Sequence, residues 1–378
     1  DGMGRSMAFQ DSAQLHEFGN LPAGHCGNVR APLRNQLYQP VRHKQEQGFT
    51  HRGPGDADFS CQFLLVEERT LACRVNQDVL PEIGKGFFAA GRSCPRGFRH
   101  TLCIQQGKGN PMRIALAQVI SSSDPSSNLD LVRDYAGRAK AAGAELVVFP
   151  EAAMCAFGNP LEPVAEPLDG PWASTVRRID ADLGVTIVAG MFTPGNGGRV
   201  RNTLLVTGPG AEASYDKIHL FDAFGFAESD AVDGGDSPVT FSLGGMTFGL
   251  ATCYDVRFPA LFTANARAGA DVNIVCASWG AGPGKSEQWD LLVRARALDS
   301  TTYVLACGQG DPASLGRPRE GTAPTGVGHS AVISPLGETL VSLADAPGLA
   351  IFDLDPAVVA QVRERLPVLA NAKDFSAA

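Results

Sequence analysis

The sequence lacks the features that would place it in several specialised classes of protein. It has no run of about 18 apolar residues, which argues against a membrane-spanning helix. Its first residues do not form a basic segment followed by an apolar one, so we expect no secretory signal. It also has no excess of basic residues, because the formal net charge is −8. We therefore expect neither a nucleic-acid partner nor attachment to an anionic membrane.

The nine cysteines lack the spacing of a metal or redox motif. No two of them form a Cys-x-x-Cys pair, so the sequence does not support a zinc ribbon or a thioredoxin-type site. Their odd number, together with the missing signal, favours free thiols in a reducing compartment. On this basis we expect a cytoplasmic location.

The composition of the chain changes at Met112. Residues 1–111 carry 13 Lys and Arg against 10 Asp and Glu, whereas the remainder carries 19 against 30. The first part also lacks sustained helical or alternating periodicity, so it can bury little apolar surface to offset the entropy lost on ordering. We interpret residues 1–111 as a poorly structured N-terminal extension without function, and residues 112–378 as the functional domain. A regulatory or targeting arm is the alternative for residues 1–111.

Residues 112–378 alternate strand-like apolar segments with segments of helical periodicity. Strands joined by glycine-containing turns predict hairpins, and helices between the other strands predict a layered α/β fold. We expect Ser126 or Ser127 to cap the first helix. The predicted strands are Ile114–Val119, Glu145–Phe149, Val185–Met191, Thr203–Thr207, Ala213–Ile218, Pro238–Leu243, Met246–Ala251, Val272–Cys276, Thr302–Ala306, Val327–Ser334, Thr339–Leu343 and Leu349–Asp353. The predicted helices are Asn128–Ala142, Trp172–Leu183, Phe258–Ala268, Ser286–Asp299 and Pro356–Leu366.

Two short motifs place a charged side chain at the end of a predicted strand. Glu151 closes Val147-Val-Phe-Pro-Glu151, and Lys217 lies within Tyr215-Asp-Lys-Ile-His-Leu220. Catalytic groups of α/β folds often follow the carboxyl ends of strands, because the sheet aims them rigidly into a crevice. Taken alone, each motif has an ordinary alternative: a glutamate at a helix N-terminus, or a lysine on an exposed edge strand. A buried Lys217 would need carboxylate partners.

A third motif, Leu250–Pro259, places Cys253 between a predicted strand and a predicted helix. A thiol near a helix N-terminus is favoured as the thiolate, and backbone N–H groups there can receive an oxyanion. Two later cysteines lie inside apolar strands and fit the role of small buried hydrophobes. Cys253 has polar neighbours and fits that role less well, which makes it a candidate nucleophile. We expect Asp255 and Arg257 to form a structural pair, and contact with the substrate is the alternative.

Taken together, the three motifs resemble the nitrilase superfamily, also called the carbon–nitrogen hydrolases. The resemblance lies in the order Glu, Lys, Cys within a matching alternation of strands and helices, and it covers residues 112–378. The segments Tyr215–Asp222 and Cys253–Pro259 are most similar to ω-amidase-like and deaminated-glutathione-amidase-like members. The resemblance implies a four-layer α-β-β-α sandwich, a homodimer or larger homo-oligomer, and no metal or organic cofactor.

The resemblance also implies an activity and a set of site residues. The activity is hydrolysis of the carbon–nitrogen bond of a small linear amide, an ω-amide of a carboxylic or 2-oxo acid, through a cysteine thioester. A nitrilase or N-carbamoyl amino acid hydrolase using the same site is one alternative, and a non-catalytic scaffold protein is another. The implied catalytic residues are Glu151, Lys217, Cys253 and Glu228, and the expected substrate-binding residues are Tyr254, Trp279 and Arg257.

Overall fold

A computed structural model describes residues 111–317 and 323–373 of the chain, so the interpretation of residues 1–111 falls almost entirely outside the described residues. The strands in this part are β1 Met112–Gln118, β2 Leu146–Val148, β3 Thr186–Pro194, β4 Val200–Gly208, β5 Ala211–Asp216, β6 Asp222–Ala223, β7 Phe226–Ala227, β8 Thr240–Leu243, β9 Met246–Thr252, β10 Val272–Ala277, β11 Tyr303–Gly308, β12 Ala331–Ile333, β13 Thr339–Ser342 and β14 Gly348–Leu354. The helices are α1 Pro125–Ala141, α2 Pro171–Leu183, α3 Pro259–Arg267, α4 Lys285–Ser300, α5 Pro356–Arg365 and α6 Val368–Asn371.

Apart from β6 and β7, the strands form two six-stranded sheets with the same internal pattern. The first has the order β14-β1-β2-β3-β4-β5, and the second has the order β13-β12-β11-β10-β9-β8. In each sheet three adjacent strands are parallel, β1-β2-β3 in the first and β9-β10-β11 in the second, and the remaining pairs are antiparallel. Parallel strands present their carboxyl ends at one edge of a sheet, where ligand sites commonly form.

The two sheets pack face to face and carry helices on their outer faces. Side chains of a strand alternate between its two faces, and β1 shows the result. Its Ile114 and Leu116 belong to the core that includes the second sheet, whereas Ala115 and Ala117 belong to the core that includes α1 and α2. Helices α3 and α4 pack on the second sheet. The predicted four-layer α-β-β-α sandwich is thus confirmed.

Local details differ from the expectations. Asp124, rather than Ser126 or Ser127, caps α1, because its carboxylate accepts the N–H groups of both serines at 3.0 and 3.3 Å. The strand predicted at Val327–Ser334 is shorter, since His329 has a φ of +57°, which an extended strand cannot contain. No helix of the described ranges is long and apolar enough to cross a membrane.

Candidate active site

Three side chains from separate strand ends meet at one place. Glu151 follows β2, Lys217 follows β5 directly, and Cys253 follows β9 directly. The Nζ atom of Lys217 lies 3.3 Å from Oε1 of Glu151. The Cys253 sulfur lies 3.8 Å from the carbonyl oxygen of Ser278, whose backbone N–H donates to Oε2 of the same Glu151 at 2.7 Å. The fold therefore brings together the thiol, the carboxylate and the ammonium that the sequence motifs singled out.

The carboxyl group of Glu151 is buried and held from several directions. Its Oε1 accepts a hydrogen bond from Nδ2 of Asn202 at 2.7 Å, and its Oε2 accepts one from the backbone N–H of Ser278 at 2.7 Å. Nε2 of Gln309 donates to the Glu151 carbonyl oxygen at 3.0 Å. These bonds leave the side chain little freedom, which suits a group that must meet a reacting atom in one fixed orientation.

The residues that hold Glu151 were missed as functional residues by the sequence analysis. A signal was present: Ser278 and Gln309 each come directly after a parallel strand, as Glu151 nearly does, and Asn202 is an amide within a mostly apolar strand. The rule that catalytic groups follow strand carboxyl ends therefore applies to the neighbouring strands β10 and β11 as well.

Lys217 is almost completely buried, with 3% of its side chain exposed, which excludes the exposed edge-strand alternative. Both carboxylate oxygens of Glu228 lie close to its Nζ atom, at 2.9 and 3.0 Å. The backbone N–H of Phe221 donates to Glu228 Oε2 at 2.7 Å and fixes that carboxylate. Burial alone would lower the pKa of Lys217, but the charges of Glu151 and Glu228 outweigh it and raise the pKa. Lys217 is a permanent cation.

The pKa values of the thiol and the carboxyl group are both raised, so both groups favour the protonated, uncharged form. Burial raises the pKa of Glu151, with Lys217 opposing the shift. Burial and the charge of Glu151 raise the pKa of Cys253 well above its ordinary value. The expected stabilisation of a thiolate by a helix N-terminus is wrong, because Cys253 opens a short 3-10 turn, Cys253–Arg257, and α3 begins only at Pro259. The resting thiol is protonated and needs a base.

Cys253 differs from the other cysteines of the described ranges in two ways. It is partly exposed, whereas Cys155, Cys276 and Cys307 are buried. Its φ is +48°, a left-handed conformation that costs a side-chain-bearing residue energy and persists where surrounding contacts hold it. Ala152, the residue after Glu151, has a φ of +58°. The strained backbone at Cys253 and Ala152 indicates that the surrounding fold imposes the geometry of this site.

Asp255 connects two segments of the site: the turn that contains Cys253 and the segment that contains Lys217. Its buried carboxylate accepts the Tyr215 hydroxyl at 2.6 Å and the backbone N–H of Thr252 at 2.8 Å. Nδ1 of His219 lies 2.7 Å from the same carboxylate. Burial, together with Asp255, raises the pKa of Tyr215, so its proton stays in this network. Asp255 therefore links the two segments through Tyr215 and His219.

The expected pairing of Asp255 with Arg257 is wrong. One guanidinium nitrogen of Arg257 donates to Oε1 of Gln288 at 2.8 Å, and the guanidinium carbon lies 5.3 Å from the ring centre of Trp279. The two side chains leave the turn toward different partners, because Asp255 points into the core and Arg257 points toward α4. The order of residues in the sequence did not contain this information.

The three expected substrate-binding residues lie near the cluster of thiol, carboxyl and ammonium groups, with Arg257 placed beside Trp279. Tyr254 follows Cys253, and its ring packs edge-on against Phe221 with the ring centres 5.0 Å apart. Trp279 follows Ser278, whose carbonyl oxygen lies 3.8 Å from the Cys253 sulfur. In residues 111–317 and 323–373, no group of three or more His, Cys, Asp or Glu side chains is placed to hold a metal ion.

Comparisons with known proteins identify the family of this chain. The carbon-nitrogen hydrolase family matches residues 113–364. A protein named as a hydrolase from Mycobacterium tuberculosis is 57% identical over 270 residues, which are 70% of this chain and 96% of the relative. A deaminated glutathione amidase from Escherichia coli O157:H7 is 32% identical over 267 residues, which are 69% of this chain and 97% of the relative.

A solved structure is similar to the described fold and carries a modified cysteine. It is a variant of the amidase from Nesterenkonia sp. AN1, with the acetamide moiety of fluoroacetamide added covalently at the active-site cysteine. The match has a TM-score of 0.57 and 29% identity, and it covers 68% of this chain and 96% of that one. Fold and site together define an enzyme of the nitrilase superfamily. The chain belongs to the carbon-nitrogen hydrolase family.

Proposed function

We propose that this enzyme hydrolyses a small linear amide, an ω-amide of a carboxylic or 2-oxo acid, and releases ammonia through a thioester on Cys253. The observation that supports the proposal most directly is the convergence of the Cys253 thiol, the Glu151 carboxyl group and the Lys217 ammonium. An amide carbon is a poor electrophile, and covalent catalysis divides its hydrolysis into two easier steps.

The first step is attack on the amide carbonyl. Glu151 takes the proton of the Cys253 thiol, and the sulfur forms a bond to the carbonyl carbon while the C=O π electrons move to oxygen. The resulting oxyanion lies against Lys217 and the backbone N–H of Tyr254. Because Lys217 is a buried permanent cation, its stabilisation of this charge is little screened by water.

The second step removes the amine and then releases the acid. Glu151 returns its proton to the nitrogen, the carbon–nitrogen bond breaks, and ammonia leaves behind a thioester on Cys253. Glu151 then takes a proton from water, whose oxygen attacks the thioester carbon. The carbon–sulfur bond breaks, the acid departs, and Glu151 returns the proton to the sulfur, which restores the thiol. A carboxyl group can donate and accept near neutral pH only when its pKa is raised, as burial does for Glu151.

Glu228, Tyr254, Trp279 and Arg257 complete the proposed site. Glu228 holds the Lys217 ammonium through both of its oxygens and so keeps it aimed at the oxyanion. Tyr254 and Trp279 flank the residues that contact the substrate carbonyl, and Arg257 is the cation beside them. The relative named deaminated glutathione amidase supports an amide over a nitrile or an N-carbamoyl amino acid.

A panel of substrates tests the assignment. The purified enzyme is given linear amides, the corresponding nitriles and N-carbamoyl amino acids, and ammonia release is measured. We expect turnover of amides to exceed that of the other two classes. Faster turnover of nitriles or carbamoyl compounds would replace the proposed bond with theirs. A complete absence of turnover would favour the non-catalytic alternative.

The pH dependence of kcat/KM for a neutral amide should follow the titration of Cys253 and Glu151, which act as a coupled pair. Activity requires that the pair hold only one proton, so kcat/KM rises with pH as the first proton leaves. Because burial raises the pKa of Glu151, we expect this rise to centre above the ordinary carboxyl value of about 4.3. The raised pKa of Cys253 places the loss of the second proton above about 8.5. A rise centred at the ordinary carboxyl value would contradict a buried Glu151 base.

We further propose that residues 112–378 are sufficient for the activity, since the family match begins at residue 113. A chain that starts at Met112 is expected to fold and to retain kcat and KM. The measurement is ammonia release by the full and shortened chains at equal concentration. A folded but inactive shortened chain would instead assign the preceding residues a function.

We also propose a cytoplasmic homodimer. Free cysteines at all four described positions fit a reducing compartment. Leu291 and Leu298 of α4 are 67% and 43% exposed, and their spacing of two helical turns places them on one face of the helix. Such a face fits a second copy packed through α4. Light scattering on the purified protein should give the mass of two chains.

A further inference from the structure

We propose that Lys285 selects substrates whose far end carries a carboxylate, and that Phe224 positions the Lys285 ammonium for this purpose. The proposal rests on the amidase function proposed above and concerns which amides the site accepts. It starts from a contact between the first residue of α4 and the β6–β7 hairpin: the Nζ atom of Lys285 lies 5.3 Å from the ring centre of Phe224.

Lys285 is tied to the catalytic cluster through its backbone. It is the first residue of α4, and its carbonyl oxygen accepts the Nε1 hydrogen of Trp279 at 2.9 Å. Trp279 follows Ser278, whose N–H holds Glu151 and whose carbonyl oxygen lies near the Cys253 sulfur. The hydrogen bond from Trp279 therefore restrains the position of Lys285 relative to the second sheet.

Phe224 lies at the tip of the β6–β7 hairpin. The base of this hairpin is closed by Phe221 and Glu228, whose backbone groups hydrogen-bond at 3.2 Å and whose N–H and Oε2 atoms bond at 2.7 Å. At the tip, Phe224 is 91% exposed and has a φ of +56°. An exposed, strained phenylalanine gains little from burial; its ring stacks near Phe221, with the ring centres 6.3 Å apart, and lies against the Lys285 cation.

The charges near Cys253 and near Lys285 favour different ends of a substrate. Around the sulfur, Glu151 and Glu228 outnumber the single cation Lys217, so an anionic group is repelled there. Among the described residues, Lys285 pairs with no carboxylate. The neutral amide end enters, and an anionic end remains outside beside Lys285.

Phe224 holds the ammonium without neutralising it. A cation on an exposed aromatic face is weakly bound and keeps its full charge, so an arriving carboxylate can take it as a partner. Arg257, the nearby guanidinium, is already hydrogen-bonded to Gln288 and stacked near Trp279. Lys285 is the cation of this region whose side-chain ammonium has no hydrogen-bond acceptor among the described residues.

Two amides of equal length test the proposal. Glutaramate ends in a carboxylate and valeramide ends in a methyl group, and ammonia release gives kcat and KM for each. Lys285→Met is expected to raise KM for glutaramate about fivefold, because it removes one partly exposed ion pair with the substrate. We expect kcat to be unchanged. KM for valeramide should not change. Lys285→Arg should keep the wild-type KM for glutaramate, because it retains the charge.

Salt and a distant lysine supply the controls. Raising ionic strength should raise KM for glutaramate in the wild type and not in Lys285→Met, because screening acts on the charge pair. Lys140→Met removes a cation from α1 on the other outer layer and should leave both substrates unaffected. Phe224→Leu should raise KM for glutaramate by a smaller factor than Lys285→Met does. Phe224→Tyr should keep the wild-type KM, because it retains an aromatic ring.

The outcomes separate this inference from the proposed function. If the wild type hydrolyses both amides and Lys285→Met alters neither KM, or alters both equally, the selection by Lys285 is refuted and the amidase function stands. Turnover of valeramide without turnover of glutaramate also refutes the selection. If the wild type hydrolyses neither amide nor any other amide of the panel, the proposed function fails, and the inference fails with it.

Discussion

Cys253→Ala is expected to lower amide turnover by at least roughly 10⁴-fold, because removing the nucleophile of a covalent hydrolase leaves only binding and oxyanion stabilisation. Folding should be little affected, since Cys253 is partly exposed and alanine also carries a Cβ at the strained φ of +48°. Ammonia release measures the turnover, and thermal unfolding measures the stability. Wild-type turnover in this variant would refute the thioester mechanism.

A matched control is available among the buried cysteines. Cys276 lies in β10 within the apolar core between the sheets, and Cys276→Ala should keep the turnover while losing about 1 kcal/mol of unfolding free energy. Intact mass after acid quench adds a direct readout. The wild type and Cys276→Ala should carry the mass of one acyl group during turnover, and Cys253→Ala should not. An acyl group on Cys253→Ala would place the nucleophile elsewhere.

Local sequence rules located the strands and the three chemical motifs because both depend on neighbours in the chain. Continuous apolar runs predicted the central strands, since a strand covered on both faces has no polar side. Glu151, Lys217 and Cys253 were found because each follows a strand, where a rigid sheet can present a side chain. Their convergence depends on two sheets packing face to face, which strand order along the chain does not specify.

The contacts that sequence reasoning missed or misassigned join positions far apart in the chain. Asn202 and Ser278 reach Glu151 from β4 and from the end of β10. Asp255 turns inward to Tyr215, which no periodicity indicated, and so the expected partner Arg257 was wrong. The sign of the Cys253 pKa shift was also wrong, because it is set by burial and by Glu151 rather than by a helix that follows directly.

Lys217→Met has the second largest expected effect, and it acts on both activity and stability. Loss of one oxyanion-stabilising donor lowers kcat by about 10²–10³-fold, and the ammonium supplies charge as well. The variant also leaves the carboxylates of Glu151 and Glu228 buried without their cation. Breaking a buried ion pair by removing one partner typically costs about 3–5 kcal/mol of unfolding free energy.

The stability loss should depend on pH in a defined direction. Burial raises the pKa of Glu151, and Lys217 is the charge that opposes this rise, so the pKa in Lys217→Met is higher still. A carboxyl group whose pKa is higher in the folded than in the unfolded state binds more protons when folded. The variant is therefore most stable at low pH and loses stability as pH rises through that raised pKa. Urea unfolding at pH 5 and pH 8 measures the difference.

A second substitution separates the catalytic from the structural role of Lys217. Glu228→Gln in the Lys217→Met background removes one surplus negative charge and keeps the shape of the side chain, so stability at pH 8 should partly recover. Turnover should remain as low as in Lys217→Met, because no cation faces the oxyanion. If turnover recovers together with stability, Lys217 serves only to neutralise the two carboxylates, and the oxyanion must be stabilised by other groups.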